Sequence, residues 1–201
     1  MIITARHLLW VAAIFVSVTA AYQGLSSEAI VHAPGILVPE APQQKNFAQG
    51  KLWQKGDFFL TALAEYRIRA RVLSTEPYWF GRESELSPVD FALGWGPMSD
   101  QNILEQIKIS QGRRWYYWKA KSLPLPRETL VASSANVHLI PANEEIAEQL
   151  DLVEIGSVVQ MQGYLVAVQT GNGWRWRSSL SRTDTGNGAC EVFWVEQIMI
   201  E

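Results

Sequence analysis

The alternation of apolar and polar residues predicts a set of β-strands between residues 51 and 201. The clearest case is the segment 65–72, in which apolar residues take every second position and charged residues lie between them. A period of two residues is typical of a strand with one buried face. The pattern therefore places a row of arginines on one exposed strand face: Arg67, Arg69 and Arg71.

Residues 158–168 form a second predicted strand, which contains a glycine, Gly163, in its interior. An interior glycine often marks a bulge or a sharp bend, and long bent strands are the elements that close small barrels. A glycine-rich turn follows, and after it a second alternating segment carries Arg175 and Arg177 on one face. Aromatic or apolar composition predicts two further strands, at residues 114–119 and 191–200.

Helices are expected to be few and short. Ser99 or Asp100 is suited to cap one helix, and Asn143 a second one with acidic residues in its first turn. The predicted fold class is β-rich α+β. In detail it is a small barrel or half-barrel with two short helices, similar in architecture to the oligonucleotide/oligosaccharide-binding (OB) barrel.

The first 23 residues have the features of a membrane-targeting segment. Residues 8–22 contain no charge, Arg6 and His7 precede them, and no lysine or arginine follows before Lys45. A positive flank on one side predicts that the N-terminus stays in the cytoplasm, so that the rest of the chain faces the periplasm or is secreted into it. Two interpretations stay open: a signal peptide cleaved after a small-residue site at 18–20, or an uncleaved transmembrane helix extended to residue 27.

The remainder of the chain divides into a linker and one domain. Prolines and polar residues in the segment 24–50 predict a tether, and residues 51–201 have the length of a single extracytoplasmic domain. The apolar residues 36–38 leave a second possibility open, an extended arm packed on the domain.

The composition is that of a globular protein and restricts the kinds of function. The chain has 201 residues, of which 17 are basic and 20 acidic, and 48% are hydrophobic, so wholesale disorder is excluded and a nucleic-acid partner is not expected. The single cysteine, Cys190, excludes an intrachain disulfide framework, and no spacing of residues indicates a metal site or a cofactor. Nine tryptophans favour an aromatic core or an aromatic binding surface.

Three stretches resemble a family of bacterial membrane-anchored or secreted envelope proteins. They are Gly94–Asp100, Ser134–Ala142, and the segment that runs from Ser178–Arg182 to Cys190–Glu191. No function is attached to that family, so the resemblance implies a location in the bacterial envelope and no chemistry.

A thiol hydrolase or transferase is one hypothesis for the function. Cys190 and His138 are the only thiol and the only histidine of the domain, and they have the chemistry of a nucleophile and its base, with Asn136 or Asp184 as the orienting group. The alternative is a small buried thiol and a hydrogen-bonded structural histidine. The tripeptide 184–186 also matches that of aspartic proteases, but a single copy is more typical of a turn.

A sheet face lined by arginine and aromatic side chains is the leading candidate for a binding surface. If the strands that carry them are neighbours, the two arginine rows form one basic stripe suited to an anionic lipid or glycan. Trp79 lies in a predicted exposed loop and is a further candidate. The set of candidate ligand-binding residues is therefore Arg67, Arg69, Arg71, Arg175, Arg177 and Trp79.

The favoured hypothesis is a non-enzymatic envelope protein. In it, the N-terminal segment contacts the inner membrane, and the domain binds an anionic envelope component or a membrane partner protein through the arginine and aromatic surface. Two alternatives are kept: the Cys190/His138 thiol enzyme, and a structural subunit of a membrane complex.

Overall fold

Within residues 29–186 and 188–201, which the computed structural model describes, the chain forms ten β-strands and four short α-helices. The strands are β1 (Gln43–Asn46), β2 (Leu52–Lys55), β3 (Phe58–Pro77), β4 (Val89–Gly94), β5 (Lys108–Gly112), β6 (Trp115–Lys119), β7 (Ser134–Pro141), β8 (Val158–Thr170), β9 (Arg175–Arg177) and β10 (Glu191–Ile200). The helices are α1 (Arg82–Leu86), α2 (Gln101–Leu104), α3 (Arg127–Ala132) and α4 (Glu144–Asp151), and a 3₁₀ turn spans Gly96–Ser99.

The main sheet is mixed and forms a partly closed ring. Its strands follow the order β1-β3-β4-β7-β10-β8-β9, β2 pairs with β3, and β3 also pairs with β8. The β7–β10 pair is parallel and the other pairs are antiparallel. Strands β5 and β6 form a separate hairpin. The predicted β-rich α+β class is confirmed.

Strand β3 extends well beyond the predicted segment 65–72, because its two ends pair with different neighbours in the ring. Its residues 58–71 pair with β8, and its residues 71–77 pair with β4. The register shifts near Leu63 and Leu73, which lets one strand of 20 residues bend from one neighbour to the next. The alternate residues Tyr66 and Ile68 face the interior and are almost fully buried.

Gly163 occurs at a bulge, as its position in the predicted strand indicated. The extra residue lies on the partner strand, because the register of β10 against β8 shifts between Val195 and Gln197. A Cβ atom at position 163 would lie 1.9 Å from the carbonyl oxygen of Trp194. Glycine therefore permits the close approach of β8 and β10 at the bend.

Two helices begin where their capping residues predicted, and two others were not predicted. The Asp100 carboxylate accepts the amide N–H of Asn102, and the Asn143 side chain accepts the amide N–H of Ile146, both at 2.9 Å. The other two, α1 and α3, follow Gly81 and Pro126 without a side-chain cap. The expectation of only two short helices was therefore wrong, because it depended on capping residues that α1 and α3 lack.

Residues 29–50 contact the domain at several points, as the alternative of a packed arm at residues 36–38 predicted for part of the segment 24–50. Val38 is fully buried, its amide donates to Ser99 Oγ, and its carbonyl accepts the amide of Gly96. Strand β1 then pairs with β3. The targeting segment 1–23 lies outside the described residues. In the part of the chain that is described, no helix combines the length and hydrophobicity that crossing a membrane requires.

Candidate functional site

The three arginines of β3 have three different environments. Arg67 is exposed and lies 3.4 Å from Glu65, whereas Arg69 binds the Glu201 carboxylate and the carbonyl oxygen of Leu37. Arg71 is buried, with 4% of its surface exposed, and its guanidinium donates to backbone and side-chain oxygens inside the fold. Only the first of these side chains projects freely into solvent.

The two arginine rows do not form one basic stripe. Arg67 lies opposite Gln162 of β8, whereas Arg177 lies opposite Ala167, on the other side of the same strand. The separation of five positions along β8 between these two partners corresponds to about 17 Å. Trp79 is separate from both rows, in the loop before α1, where it and Phe80 are 79% and 92% exposed.

Cys190 and His138 are near each other in the sheet but do not form a catalytic pair. The Cys190 thiol contacts Asn136 Nδ2 at 3.8 Å and the Arg114 carbonyl oxygen at 3.9 Å. The His138 ring instead approaches Asp90, and the Asp184 carboxylate accepts a hydrogen bond from Ser179 Oγ. Among the described residues, no group of three or more histidine, cysteine or acidic side chains is arranged to hold a metal ion.

Burial raises the pKa of the Cys190 thiol to about 11. We therefore expect Cys190 in the native chain to react with iodoacetamide about 100-fold more slowly at pH 8 than a free cysteine, because its thiolate fraction is that much lower. Mass spectrometry of the alkylated chain over pH 7–10, native and in denaturant, measures this ratio. Rapid native labelling with a midpoint below pH 8.5 would contradict the expectation and support the thiol enzyme.

A buried charged cluster, absent from the sequence analysis, lies on the outer face of the sheet. Asp90 is fully buried and accepts a hydrogen bond from Arg114 Nη1 at 2.6 Å. Its other oxygen lies 2.9 Å from His138 Nδ1, without the alignment of a hydrogen bond. Trp176 covers the imidazole, with ring centroids 4.8 Å apart. The carboxylate thus joins β4, β7 and the β5–β6 hairpin.

Arg114 reaches this cluster from a turn with an unusual backbone. The β5–β6 hairpin closes through only Arg113 and Arg114, whose φ angles are 54° and 67°. Left-handed backbone costs a side-chain-bearing residue about 1–2 kcal/mol, which is why Asn and Gly dominate such turns. The contacts of Arg114 offset this cost: its guanidinium stacks 3.7 Å from the ring centre of Tyr78, and its amide donates to Tyr78 Oη at 2.8 Å.

An open cavity of about 390 Å³ lies between the docked hairpin, α3 and the segment before β10. This volume is in the range of sites for small molecules. The outward face of β6 presents Trp115, Tyr117 and Lys119 in alternation, and α3 adds Arg127. The opposite wall consists of polar and charged residues of the sheet and the segment before β10: Asn136, Ser181, Arg182, Asp184, Cys190 and Glu191.

Cations outnumber anions around this cavity. Within the described part of the chain, neither Lys119 nor Arg127 takes part in an ion pair. Arg182 is bound to Glu191 at 2.6 Å and stacks 4.9 Å from the ring centre of Tyr66. The two exposed cations are therefore available to an anionic ligand, whereas Arg182 is committed to the protein.

Glu191 forms the buried end of the cavity wall. Burial raises its pKa to about 7, and this effect exceeds the opposing attraction of Arg182. A carboxyl group whose pKa is higher in the folded than in the unfolded chain binds an extra proton on folding between the two values. The free energy of unfolding therefore falls as pH rises from about 4.5 to 7.

We expect Glu191→Gln to remove this part of the pH dependence. The variant should match the parent chain near pH 5 and exceed its stability at pH 8, because the cost of burying the charge is gone. The upper limit of the slope removed is about 1.4 kcal/mol per pH unit. Urea unfolding from pH 5 to 8 measures the difference, with the exposed Glu196→Gln on the same strand as the control. Equal slopes in all three chains would contradict the assignment.

Cys190 and Asp184 were candidates from the sequence, but the cavity that they line was not predicted. The signal for the hairpin was present, since residues 115–118 are all aromatic and 113–114 are paired arginines. What was missing was the docking of the hairpin on the sheet, which depends on contacts distant in sequence. Comparisons with protein-family models, with curated proteins and with solved structures find no match to this chain.

Proposed function

We propose that this chain is a non-enzymatic binding domain of the bacterial envelope that takes an acidic saccharide in the cavity beside the β5–β6 hairpin. The observation that carries the proposal is the combination of an aromatic face with two cations, Lys119 and Arg127, around one open cavity. Neither cation has an ion-pair partner among the residues that the structure describes. The proposed location, at the outer face of the inner membrane, depends on the apolar segment 8–22 of the sequence.

The aromatic face supports a ring-shaped ligand. Trp115 and Tyr117 occupy alternate positions of β6, so their rings are about 7 Å apart along the strand. They are 36% and 49% exposed, so each ring has a free surface against which an apolar sugar face packs. Polar side chains on the opposite wall, among them Asn136 and Ser181, are available for hydroxyl groups.

The cations support an acidic group on that ligand. Lys119 follows the two aromatic residues on the same face of β6, and Arg127 begins the helix that borders the cavity. A carboxylate is a natural partner for both side chains, and a charge-assisted hydrogen bond contributes about 1.5–3 kcal/mol. The contribution of partly exposed cations is sensitive to salt.

The non-enzymatic part of the proposal is supported by the high pKa of the Cys190 thiol. A thiol with a pKa of about 11 is a poor nucleophile at neutral pH. His138 faces Asp90 and is therefore not positioned as the base for Cys190. The finer architecture, a half-closed barrel of OB type, belongs to the same proposal and is supported by the ring in which β3 contacts both β4 and β8.

The test compares two double variants of the full chain in detergent by titration calorimetry. The probes are a uronic-acid trisaccharide, a neutral trisaccharide of the same linkage, and inorganic phosphate. We expect Lys119→Gln/Arg127→Gln to weaken binding of the acidic trisaccharide at least 10-fold, and Arg175→Gln/Arg177→Gln to change it less than 2-fold. The second pair is exposed, cationic and outside the cavity, so it controls for loss of overall charge.

Each other outcome contradicts a defined part of the proposal. Equal binding of the neutral and the acidic trisaccharide would show that the ligand needs no acidic group. Binding of phosphate alone would show that the site recognises an anion and not a sugar ring. A loss confined to Arg175→Gln/Arg177→Gln would move the site to β9. Absence of binding to all three probes would overturn the saccharide proposal.

A further inference from the structure

An apolar patch lies where the described part of the chain begins. Val31 and Leu152 are 73% and 70% exposed, and Ile30 and Ile155 beside them are 37% and 39% exposed. The two segments are adjacent, because the amide of Ile30 donates to the carbonyl oxygen of Ile155 at 2.8 Å. Four exposed aliphatic side chains from two segments form a patch of the kind that marks an interaction surface.

The patch is held by partly buried hydrogen bonds to the rest of the domain. The His32 ring lies 2.8 Å from the carbonyl oxygen of Gly156, and Arg71 Nη2 donates to the carbonyl oxygen of Ile30. A Cβ atom at Gly156 would lie 2.1 Å from that same Ile30 oxygen, so the two segments are in close contact. The aliphatic side chains are therefore presented to solvent by a fixed backbone.

The sequence limits how far this patch can be from a membrane. In the anchor form the apolar segment extends to residue 27, and the patch begins three residues later at Ile30. Three residues span at most about 11 Å when fully extended. If the apolar segment is retained in the bilayer, the patch must lie close to the lipid surface.

We propose that this patch rests on the bilayer, with Val31 and Leu152 inserted at the level of the lipid headgroups. The inference rests on the proposed membrane location, in the form in which the N-terminal segment remains as an anchor. Leucine and valine side chains gain free energy on leaving water for the interface. The contact would fix the orientation of the domain relative to the membrane.

The surrounding charges favour an apolar contact over an electrostatic one. Asp151 and Glu154 flank the exposed Leu152 and are themselves exposed. Anionic lipids would repel these carboxylates. The contact is therefore expected to be insensitive to ionic strength and strongest on zwitterionic phosphatidylcholine.

The experiment places a nitroxide label at position 152 in the full chain, reconstituted in phosphatidylcholine nanodiscs. The labelled chain carries Leu152→Cys with Cys190→Ser, and its control carries Leu52→Cys with Cys190→Ser. Leu52 is a matched residue because it is 76% exposed and lies on β2, away from the patch. We expect the label at 152 to be accessible to oxygen and shielded from an aqueous nickel chelate, and the label at 52 to show the reverse.

A second measurement uses the unmodified chain, so the result does not depend on either variant folding. Hydrogen exchange of residues 151–156 should slow at least 5-fold in nanodiscs relative to detergent micelles, while exchange at residues 52–55 is unchanged. If the label at 152 is accessible to the nickel chelate in a chain that resists alkaline extraction, the proposed contact between the patch and the bilayer is wrong. The membrane location would then still stand. A chain released by alkaline extraction would overturn both.

Discussion

Replacing Asp90 by asparagine is expected to lower the free energy of unfolding by about 3–5 kcal/mol. The carboxylate has no exposed surface, and it is the only acidic side chain in ion-pair contact with Arg114 within the described residues. Asparagine has nearly the same shape but carries no charge, so the partly buried guanidinium would lose its counter-ion.

Urea unfolding at pH 7 measures the loss, with Asp57→Asn as the control. Asp57 is exposed in the turn between β2 and β3, so its replacement should change the stability by less than about 0.5 kcal/mol. A double-mutant cycle with Arg114→Met separates the pair interaction from other effects of the substitution. A loss below 1 kcal/mol for Asp90→Asn would show that the hairpin is held by its apolar contacts alone.

The same substitution should affect the cavity, because Asp90 holds one of its walls in place. The β5–β6 hairpin belongs to a separate sheet and reaches the main sheet through side chains such as Arg114 and Gln111. Release of the hairpin would loosen the segment after β6, which contains the exposed Lys121. Tryptic cleavage there should accelerate in Asp90→Asn before the rest of the chain unfolds.

The elements of the fold were predictable where a local pattern determines them. The period of two residues located β3 and β8, and the side chains of Asp100 and Asn143 located two helix starts. Each of these signals is contained in fewer than a dozen consecutive residues. Elements without such a signal, the uncapped helices α1 and α3, were missed for that reason.

The pairing of the strands could not be obtained in this way, and the site depends on it. The parallel pair β7–β10 joins residues more than 50 positions apart and brings Cys190 beside Asn136. Aspartate at 90 in an otherwise apolar strand was the available signal for a buried charge, but its partner Arg114 comes from a turn. Long-range contacts of this kind leave no periodicity in the sequence.

For Arg71, the alternation of apolar and polar residues predicted the correct strand but the wrong solvent exposure. The pattern placed Arg67, Arg69 and Arg71 on one face, and β3 does alternate. The N-terminal arm and α2 cover only the end of that face, so Arg71 is buried by residues that lie far from it in sequence: Ile30, Ser99 and Gln101. Burial lowers the pKa of its guanidinium.

Arg71→Met is therefore expected to lower the free energy of unfolding by about 2–4 kcal/mol. The Ser99 and Ile30 carbonyl oxygens and Gln101 Oε1 would all lose the donor that Arg71 provides, and methionine supplies none. The arm would then be held mainly by Val38 and β1. Urea unfolding measures the loss, and hydrogen exchange at residues 30–32 should report the loosening of the arm.

The other two arginines of the row provide the controls, because they take alternate positions on the same face of β3 and are more exposed than Arg71. Arg69→Met removes a half-exposed ion pair with Glu201 and should cost about 1 kcal/mol or less. Arg67→Met removes an exposed side chain and should have almost no effect. The expected order of losses is Arg71, then Arg69, then Arg67. Equally small losses of unfolding free energy in all three variants would mean that the arm does not cover this face in solution, and that the row is an exposed basic surface.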